Sequence, residues 1–489
     1  MVDKIQGFKN ACIECLEVFS LGKLQTYGRA IGVDVPTKKK KNELIADIAA
    51  VLVGELAPIE RSTRGAPVKN DYVDPKIEEA IAKQRYVWFA GVEPPIELTY
   101  IETAYGGQKP LVAQRSNNAM TFEQYHNLEI HRGQLEVIDG IPSLVDMSGR
   151  LDVERLSVSV DQIRQYGLRE GDVITCHAYE KMGVWAARDV LSVNRVSVGT
   201  ENRFVFDSEE VTYPDRRIRF GAYGTENSVG KYLDYILPIG YGQRCLVASA
   251  PKAGKSFLLC DMAKSLCASS RNRTVFVLLI DQSPELIAAY RKFVGPENLV
   301  ATSYEDEPEK HVFAAEFLLK RAKRFTEMGR DVVLIVDSLS QLARVYNETS
   351  FSEGGKTLQY GLESKTLHYV KKYFGSPRRF AKDATLSLIA SLSFGTGDGF
   401  DEMLYAELSA IANAKIQLSD SLAKRRIFPA IDFKNSLSDG DRFTEENEKE
   451  VQHLFETTVL PNLGDEKSHS FLFDSANFDE FYQKVKNFR

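Results

Sequence analysis

The sequence has few cysteines and no long apolar run, and both absences exclude classes of protein. Its 489 residues contain six cysteines, which are scattered and form no disulfide framework. The longest apolar stretches, such as residues 274–280, are far shorter than the roughly 20 residues that span a membrane. The start of the chain also lacks the apolar core of a signal peptide. We therefore expect a cytoplasmic protein with no membrane partner.

The charge balance excludes a uniformly basic protein that coats nucleic acid. Lysine and arginine together number 62, aspartate and glutamate 68, and the formal net charge is −6. That balance still permits a local basic groove. Apolar residues make up 43% of the chain and charged residues 27%, which is typical of a folded protein. The length favours about two to four domains.

The first part of the chain has the apolar spacing of helices. Residues 1–56 alternate this spacing with short breaks, which predicts a small helical domain. A lysine run at residues 38–41 opens the last helix, and it fits either a contact with phosphates or a solvated helix start. Residues 57–130 contain several prolines and little periodicity, which predicts a long linker or insertion.

The rest of the chain divides into a β-rich part and an alternating part. Residues 131–212 hold several short strand-like runs at close spacing, which predicts a small barrel. In residues 213–489, apolar strands alternate with helical stretches, a pattern typical of a parallel sheet with crossover helices. The predicted fold class is therefore multidomain, with a helical domain, a β-barrel and an α/β domain in that order.

The strongest motif lies between the strand at residues 245–248 and a helix that starts near Ser256. Residues 249–256 read Ser-Ala-Pro-Lys-Ala-Gly-Lys-Ser, which fits the phosphate-binding loop pattern except that Ser249 replaces its first glycine. Gly254 permits a close approach to phosphates, Lys255 reaches the β and γ phosphates, and Ser256 ligates Mg²⁺. The alternative is an ordinary strand-to-helix turn, which leaves the order of strand, lysine, hydroxyl and helix unexplained.

Two later strands end in polar residues that suit the same chemistry. The strand at residues 332–336 leads into Asp337, which is a candidate to hold Mg²⁺ through water. The alternative for Asp337 is a helix cap. The strand at residues 274–280 leads into residues 281–284, Asp-Gln-Ser-Pro. In a nucleotide hydrolase with this strand order, the loop after that strand is where a carboxylate polarises the attacking water.

Several of these segments together resemble a known family. The segments APKAGKS, LLIDQSPEL, VDSLSQLARVYN and RRIFPAIDF, with the Gly-Gly-Lys at residues 354–356, are similar to the transcription termination factor Rho. The resemblance runs from about residue 131 to residue 489, and the N-terminal helices also fit the family. It implies a ring-shaped hexameric ATPase of the RecA type that translocates on RNA. It also implies that residues 131–212 form an RNA-binding OB barrel and that residues 213–489 form a RecA-like ATP-binding domain.

The resemblance assigns roles at the phosphate end of the nucleotide. It implies that the chain binds ATP with Mg²⁺, and that the metal lies against Ser256 and Asp337. The positions that match the family's phosphate contacts are Lys252, Ala253, Gly254, Lys255 and Ser256.

Further roles follow from the same resemblance at positions outside the loop. Phe257 and Phe428 would flank the adenine, and packing in the core is the alternative for both rings. Arg426 would contact the nucleotide of a neighbouring subunit. Lys356 would lie in a loop that faces RNA in the central pore.

At two catalytic positions the chain departs from the family. The family's glutamate that activates water is Gln282 here, and an amide cannot accept a proton. The loss of a general base typically costs a factor of about 10² to 10⁴ in rate. The family's arginine finger falls at residues 436–439, Ser-Leu-Ser-Asp, with Arg442 out of register. A finger is worth about 10³ to 10⁵ in rate, and the two changes together predict very slow hydrolysis.

Positions that contact RNA in the family are altered as well. The barrel segment that carries stacking aromatic rings in the family reads Gly-Ile-Pro-Ser-Leu-Val at residues 140–145. A second pore loop, which carries a lysine in the family, corresponds to residues 395–399, and its Asp398 is unfavourable near phosphates. The arginine that follows the Mg²⁺-site segment in the family is Gln341 here.

Two functions fit these observations. The first is an RNA-dependent ATPase that terminates transcription as a homo-hexamer, with single-stranded RNA and RNA polymerase as partners. The second is a non-hydrolysing paralogue that acts as a nucleotide-gated scaffold or regulator. The retained phosphate loop fits both functions, whereas the changes at Gln282 and at residues 436–439 favour the second. Because a shared fold does not establish activity, the sequence leaves enzymatic turnover open.

Overall fold

The structure is a computed structural model in which the chain divides into two compact units, Met1–Ile130 and His131–Arg489. None of the helices in the described part combines the length and the apolar composition of a membrane span. The described residues are 2–33, 35–53, 55–56, 77, 80–81, 129–150, 155–181, 184–198, 203–221, 228–269, 273–351 and 357–488.

The first unit is helical, as its apolar spacing predicts. Its core includes Phe8, Leu24 and Ile48, which are buried on facing helices. The lysine run is largely engaged within this unit, because Lys39 pairs with Asp47 and the Lys41 ammonium donates to the carbonyl oxygen of Glu17. The helices are α1 (Val2–Leu16), α2 (Leu21–Ile31) and α3 (Lys41–Leu52).

The predicted linker or insertion at residues 57–130 lies almost entirely outside the described residues. The exceptions are residues 77, 80, 81, 129 and 130. Among them, Ile77 and Ile81 are buried in the core of the first unit. At those two positions the segment therefore contributes to packing.

The second unit begins with a closed β-barrel, which confirms the predicted barrel. Along β4 the buried residues Ile174, Cys176 and Ala178 alternate with less buried ones, as expected for strands with one face in a core. Pairing runs in the order β3-β2-β1-β4-β5-β6, and β3 also pairs with β5, which closes the barrel. The strands are β1 (Glu129–Ile138), β2 (Ile141–Val145), β3 (Leu156–Ser157), β4 (Val173–Lys181), β5 (Val184–Val193) and β6 (Val196–Ser197).

One helix, α4 (Val160–Tyr166), lies within the barrel segment. It begins after Ser159, whose hydroxyl accepts a hydrogen bond from the backbone N–H of Gln162, while the Gln162 side chain accepts from the Ser159 backbone. This reciprocal capping satisfies backbone donors that a helix start leaves unpaired. It explains why the helix begins at this point in the sequence.

The rest of the second unit is an α/β domain built on a sheet of nine strands in the part of the chain that is described. Its central strands run parallel in the order β12-β11-β13-β15-β10-β16. They are almost continuously apolar, because helices cover both faces of a parallel sheet. The central strands are β10 (Arg244–Ser249), β11 (Arg273–Gln282), β12 (Leu299–Ser303), β13 (Asp331–Asp337), β15 (Thr385–Ser393) and β16 (Ala414–Gln417).

Short antiparallel strands extend this architecture at its edges. Val211–Thr212, which the predicted boundary at residue 212 assigns to the barrel, pairs instead with Arg378–Phe380 of the large sheet. A two-residue strand has no periodicity from which its partner could be inferred. The strands of the large sheet among these are β7 (Val211–Thr212), β14 (Arg378–Phe380) and β17 (Leu437–Ser438). The other two, β8 (Arg217–Ile218) and β9 (Ile239–Gly240), pair with each other in a separate two-stranded sheet.

Helices cover both faces of the sheet and continue to the end of the described chain. A short π-helical segment, Phe455–Val459, separates two of them. The helices are α5 (Ser228–Tyr235), α6 (Lys255–Ser269), α7 (Pro284–Arg291), α8 (Pro308–Glu327), α9 (Leu339–Phe351), α10 (Ser364–Phe374), α11 (Gly399–Ser409), α12 (Asp420–Lys424), α13 (Glu446–Leu454), α14 (Leu460–Phe473) and α15 (Phe478–Lys486).

The barrel is fastened to α8 by a buried arginine. Arg321 donates to the Gln134 side chain at 2.7 Å and to the carbonyl oxygens of Met147 and Glu297 at 2.9 and 2.6 Å. Burial lowers the pKa of Arg321 to about 9, and Glu297 is the strongest opposing influence. Because a buried guanidinium requires partners for its donors, this network fixes the barrel against the α/β domain.

The parallel strands bring their carboxyl ends together on one edge of the sheet. Register pairs Leu279 of β11 with Asp337 of β13, and Val336 of β13 with Ala390 of β15. The end of β10 is reached through β15 on the same edge. In open sheets of this kind, ligands bind outside the carboxyl ends of the strands. The candidate residues on these strands therefore meet at one place.

Candidate nucleotide site

The phosphate-binding loop connects β10 to α6 and has the backbone conformation that the motif requires. Gly254 has a φ of +99°, and a Cβ atom at this position would lie 3.2 Å from the Phe428 ring. Lys252 has a φ of +64° and is exposed. Ala253 is buried between them. The loop thus needs glycine at residue 254, both for its conformation and for space.

Lys255 is the first residue of α6, and its ammonium group points back into the loop. Its Nζ donates to the carbonyl oxygen of Ser249 at 3.1 Å. Burial lowers the pKa of Lys255, while the charges of Asp337 and Asp401 raise it. A partly buried cation at a helix start, beside loop N–H groups, is suited to a phosphate.

Asp337 is buried at the end of β13, with only 2% of its surface exposed. Its Oδ1 accepts a hydrogen bond of 2.6 Å from the Ser391 hydroxyl. Burial raises the pKa of Asp337, and the hydrogen bond from the Ser391 hydroxyl is the strongest influence that lowers it. The cap of α9 is Ser338, whose hydroxyl accepts from the backbone N–H of Gln341. The alternative of a capping Asp337 is therefore wrong.

The residues around Asp337 fit a magnesium ion. Its Oδ2 is buried and has no hydrogen-bond partner among the residues that the structure describes. The Ser256 hydroxyl lies close enough to lower the pKa of this carboxyl. A carboxylate and a hydroxyl are hard oxygen donors of the kind that Mg²⁺ takes together with water and phosphate. Asp337 and Ser256 could thus hold the ion that the sequence motif implies.

Two aromatic rings and one arginine of the predicted site are exposed at the surface. Phe257 is 62% exposed and Phe428 is 48% exposed, so the alternative of packing in the core is wrong for both. Phe428 lies against Gly254, as the space around that glycine shows. Arg426 is exposed and has a φ of +60°. An exposed ring beside a phosphate loop is available for stacking on a base.

At the end of β11, Gln282 turns its amide toward the backbone. Its Nε2 donates to the carbonyl oxygens of Ile280 at 3.1 Å and of Asp337 at 3.3 Å. The amide of Gln341 on α9 donates to Asp281 Oδ2. Sequence reasoning noted the two glutamine replacements separately and missed the contact with Asp281. Strand length is the signal that could have found it. Aligning β11 and β13 as neighbouring parallel strands brings the end of β11 close to the start of α9.

Residues 436–439, where the resemblance places the family's arginine finger, include no lysine or arginine. Asp439 is exposed, and its backbone bonds to Asn413 and Gln243 hold it beside β16. Arg442 lies over the Tyr213 ring, with 4.0 Å between the guanidinium carbon and the ring centroid. Lys356, predicted to face RNA, lies outside the described residues.

The loop at residues 395–399 differs from its expected electrostatics. Asp398 caps α11 through the backbone N–H of Phe400 and pairs with Arg344 at 3.0 Å. The bond to Arg344 is the main cause that lowers the pKa of Asp398. Its negative charge is therefore partly balanced, which reduces the repulsion of phosphates that the sequence predicts. At the next residue, Gly399, the Tyr360 ring packs so closely that a Cβ atom would lie 2.3 Å from it.

The comparisons with known proteins agree with this geometry. Residues 230–438 match the family model described as "ATP synthase alpha/beta family, nucleotide-binding domain". The chain is 31% identical over 367 residues to the transcription termination factor Rho of Salmonella typhimurium, which covers 72% of this chain and 87% of the relative. It is 34% identical over 313 residues to Rho of Buchnera aphidicola subsp. Baizongia pistaciae, covering 62% of this chain and 74% of the relative.

Two solved structures match at lower similarity. An ATPase from the type III secretion system of pathogenic bacteria matches with a TM-score of 0.46 and 18% identity, over 56% of this chain and 86% of that one. The ATPase EscN of enteropathogenic E. coli matches with a TM-score of 0.47 and 16% identity, over 63% and 78%. The assignment depends on the sequence relatives, of which the first is covered over 87% of its length. The chain belongs to the family of the transcription termination factor Rho.

Proposed function

We propose that this protein binds ATP with Mg²⁺ and RNA, and that it acts in transcription termination as a ring of six subunits in the cytoplasm. The observation that carries the proposal is the intact phosphate loop beside a buried Asp337 with one unpaired oxygen. Membership in a family whose relatives are named transcription termination factors supports the role in transcription. RNA polymerase and single-stranded RNA are the partners that this role requires.

Within this proposal the loop residues bind, and the residues at the other strand ends set the rate. Lys252, Ala253 and Gly254 surround the phosphates, and Lys255 neutralises them. Ser256 and Asp337 would hold Mg²⁺, which would add positive charge at the terminal phosphates. Hydrolysis is slow because Gln282 cannot accept a proton and no arginine occupies the finger position at residue 439.

Four measurements test the proposal in order. Equilibrium titration with Mg²⁺-ATP should give saturable binding, and mass measurement in solution with ATP should give a closed ring of identical subunits. Phosphate release should rise when single-stranded RNA is added, and RNA polymerase should release shorter transcripts in the presence of the protein. A strictly monomeric protein at micromolar concentration with ATP present would contradict the ring.

The second candidate function is a nucleotide-gated scaffold or regulator that does not hydrolyse ATP. The amide at residue 282 and the acidic residue at 439 favour it, because both remove groups that speed hydrolysis in the family. Under this function, RNA binding should change with ATP although no phosphate is released over many hours. Arg426 and Lys356 retain binding roles in either case, at a neighbour's nucleotide and in the pore.

A further inference from the structure

Gln282, at the position of the family's glutamate, connects two strands through hydrogen bonds. Both hydrogens of a carboxamide can be donated, and Gln282 directs its Nε2 to the carbonyl oxygens of Ile280 and Asp337. The second of these bonds joins the ends of β11 and β13. Gln282 therefore has a role in which a carboxylate would fail, since a carboxylate has no hydrogens to donate.

The residue before Gln282 has a backbone conformation that redirects its side chain. Asp281 has a φ of +53°, which is uncommon for a residue other than glycine. The pairing of β11 with β12 shifts register between Leu279 and Gln282. A bulge of this kind breaks the alternation of a strand and is frequent next to active sites. The side chains of Asp281 and Gln282, which would otherwise point to opposite faces, both turn toward the end of β13 and α9.

Asp281 is held there by a neutral partner. The Gln341 amide donates to Asp281 Oδ2, and the Gln341 backbone N–H donates to the Ser338 hydroxyl beside Asp337. In the described part of the chain, Asp281 Oδ1 has no partner and the side chain is half-buried. An amide fixes the orientation of a carboxylate without neutralising it, whereas an arginine at this position would form an ion pair.

We propose that Asp281, positioned by Gln341, orients the attacking water and accepts its proton. The inference rests on the proposed ATP site and concerns turnover at that site. Water oxygen forms a bond to the γ-phosphorus as the bond from that phosphorus to the bridging oxygen breaks, and the electron pair of the broken bond stays on ADP. The proton that water loses passes to the Asp281 carboxylate and then to the phosphate product.

The test measures single-turnover hydrolysis and ATP affinity for the full-length protein and its variants. Asp281→Asn is isosteric and can still accept the bond from Gln341. It should lower the hydrolysis rate by about 10² or more while ATP affinity and thermal unfolding stay unchanged. The control is Glu305→Gln, which removes an exposed carboxylate from the loop after the neighbouring strand β12 and should leave the rate unchanged.

Gln341→Arg separates a chemical role of this pair from a structural one. An arginine would hold Asp281 at least as firmly, so a structural role predicts no loss of rate. If Asp281 is the base, the ion pair weakens it and the rate should fall about tenfold or more while ATP affinity is kept.

The outcomes distinguish this inference from the proposed function. Wild-type turnover retained in Asp281→Asn, or wild-type protein that binds ATP and releases no phosphate, overturns the inference and leaves ATP binding standing. A wild-type protein that fails to bind Mg²⁺-ATP overturns the proposed function and the inference with it.

Discussion

The end of β10 and the end of β11 lie on one edge of the same sheet, yet they have diverged to different degrees. At β10 the phosphate loop keeps its glycine, lysine and hydroxyl, and its backbone has the positive φ angles of a phosphate cradle. At the end of β11, Gln282 stands where the resemblance implies the family's glutamate. Binding of a nucleotide and its hydrolysis are thus separate properties of one edge, and they can change independently.

The exchanged residues Gln282, on β11, and Gln341, on α9, both donate hydrogen bonds. Gln282 donates to two carbonyl oxygens, and Gln341 donates to Asp281. Half-buried polar groups that find partners stabilise a single arrangement. The end of β11 is therefore an ordered structure with a different set of hydrogen bonds, which distinguishes it from a site that has merely lost its residues.

The largest effect is expected in the phosphate loop at the end of β10, from Lys255→Ala. This change removes a partly buried charge that bonds to phosphate, which is worth about 1.5 to 3 kcal/mol. The dissociation constant for Mg²⁺-ATP should rise by about 10- to 150-fold in equilibrium titration. Lys264→Ala is the control, because Lys264 lies on the same helix and pairs with Asp261 at the surface. Wild-type affinity in Lys255→Ala would show that the phosphates bind elsewhere.

At the end of β11, Gln282→Glu should mainly reduce the stability of the protein rather than restore the rate of hydrolysis. Glutamate loses both donated hydrogen bonds and brings a negative charge against two carbonyl oxygens, at a cost of about 1 to 3 kcal/mol. The free energy of unfolding should fall by that amount in denaturant titration. Gln282→Met is the matched control, since it loses the bonds without adding a charge. If the Gln282→Glu variant is as stable as the wild-type protein, the hydrogen bond between the ends of β11 and β13 contributes nothing to stability.

In the phosphate loop, Gly254→Ala should cause an intermediate loss of ATP affinity and of stability. The positive φ costs an alanine about 1 to 2 kcal/mol, and the added methyl presses on the Phe428 ring. ATP affinity and thermal stability should both fall. Gly295→Ala is the control, because a methyl group there meets no atom within 4 Å and its φ is −58°. If Gly254→Ala and Gly295→Ala have equal effects, the positive φ and the limited space at residue 254 do not explain the loss.

The smallest effect is expected from Phe428→Leu. The ring is half exposed beside the loop, and a stacked aromatic contact is worth about 0.5 to 1.5 kcal/mol beyond its buried area. ATP affinity should fall by about two- to tenfold, with stability nearly unchanged. Comparing ATP with inorganic triphosphate identifies the contact, since only ATP has a base to stack. A loss shared equally by both ligands would place Phe428 at the phosphates.

Much of the fold and of the binding half of the site could be predicted from the sequence. The barrel, the alternating strands and helices, and the loop at residues 249–256 follow from local spacing, which is the information that a sequence holds most directly. The helix caps are equally local, as Ser159 shows. The partner of Val211–Thr212 and the contacts of Arg321 with Gln134 and Met147 could not be predicted, because they join segments more than 100 residues apart.

The order of residues is enough to establish the phosphate loop, the later strand that ends in Asp337, and the two glutamines at positions 282 and 341. What those glutamines contact depends on how the strands pair. The pairing of Leu279 with Asp337 brings the end of β11 beside the start of α9, so that Gln341 reaches Asp281. Strand register is set by packing of the whole sheet, and for this reason the surroundings of a side chain at a strand end are a property of the fold.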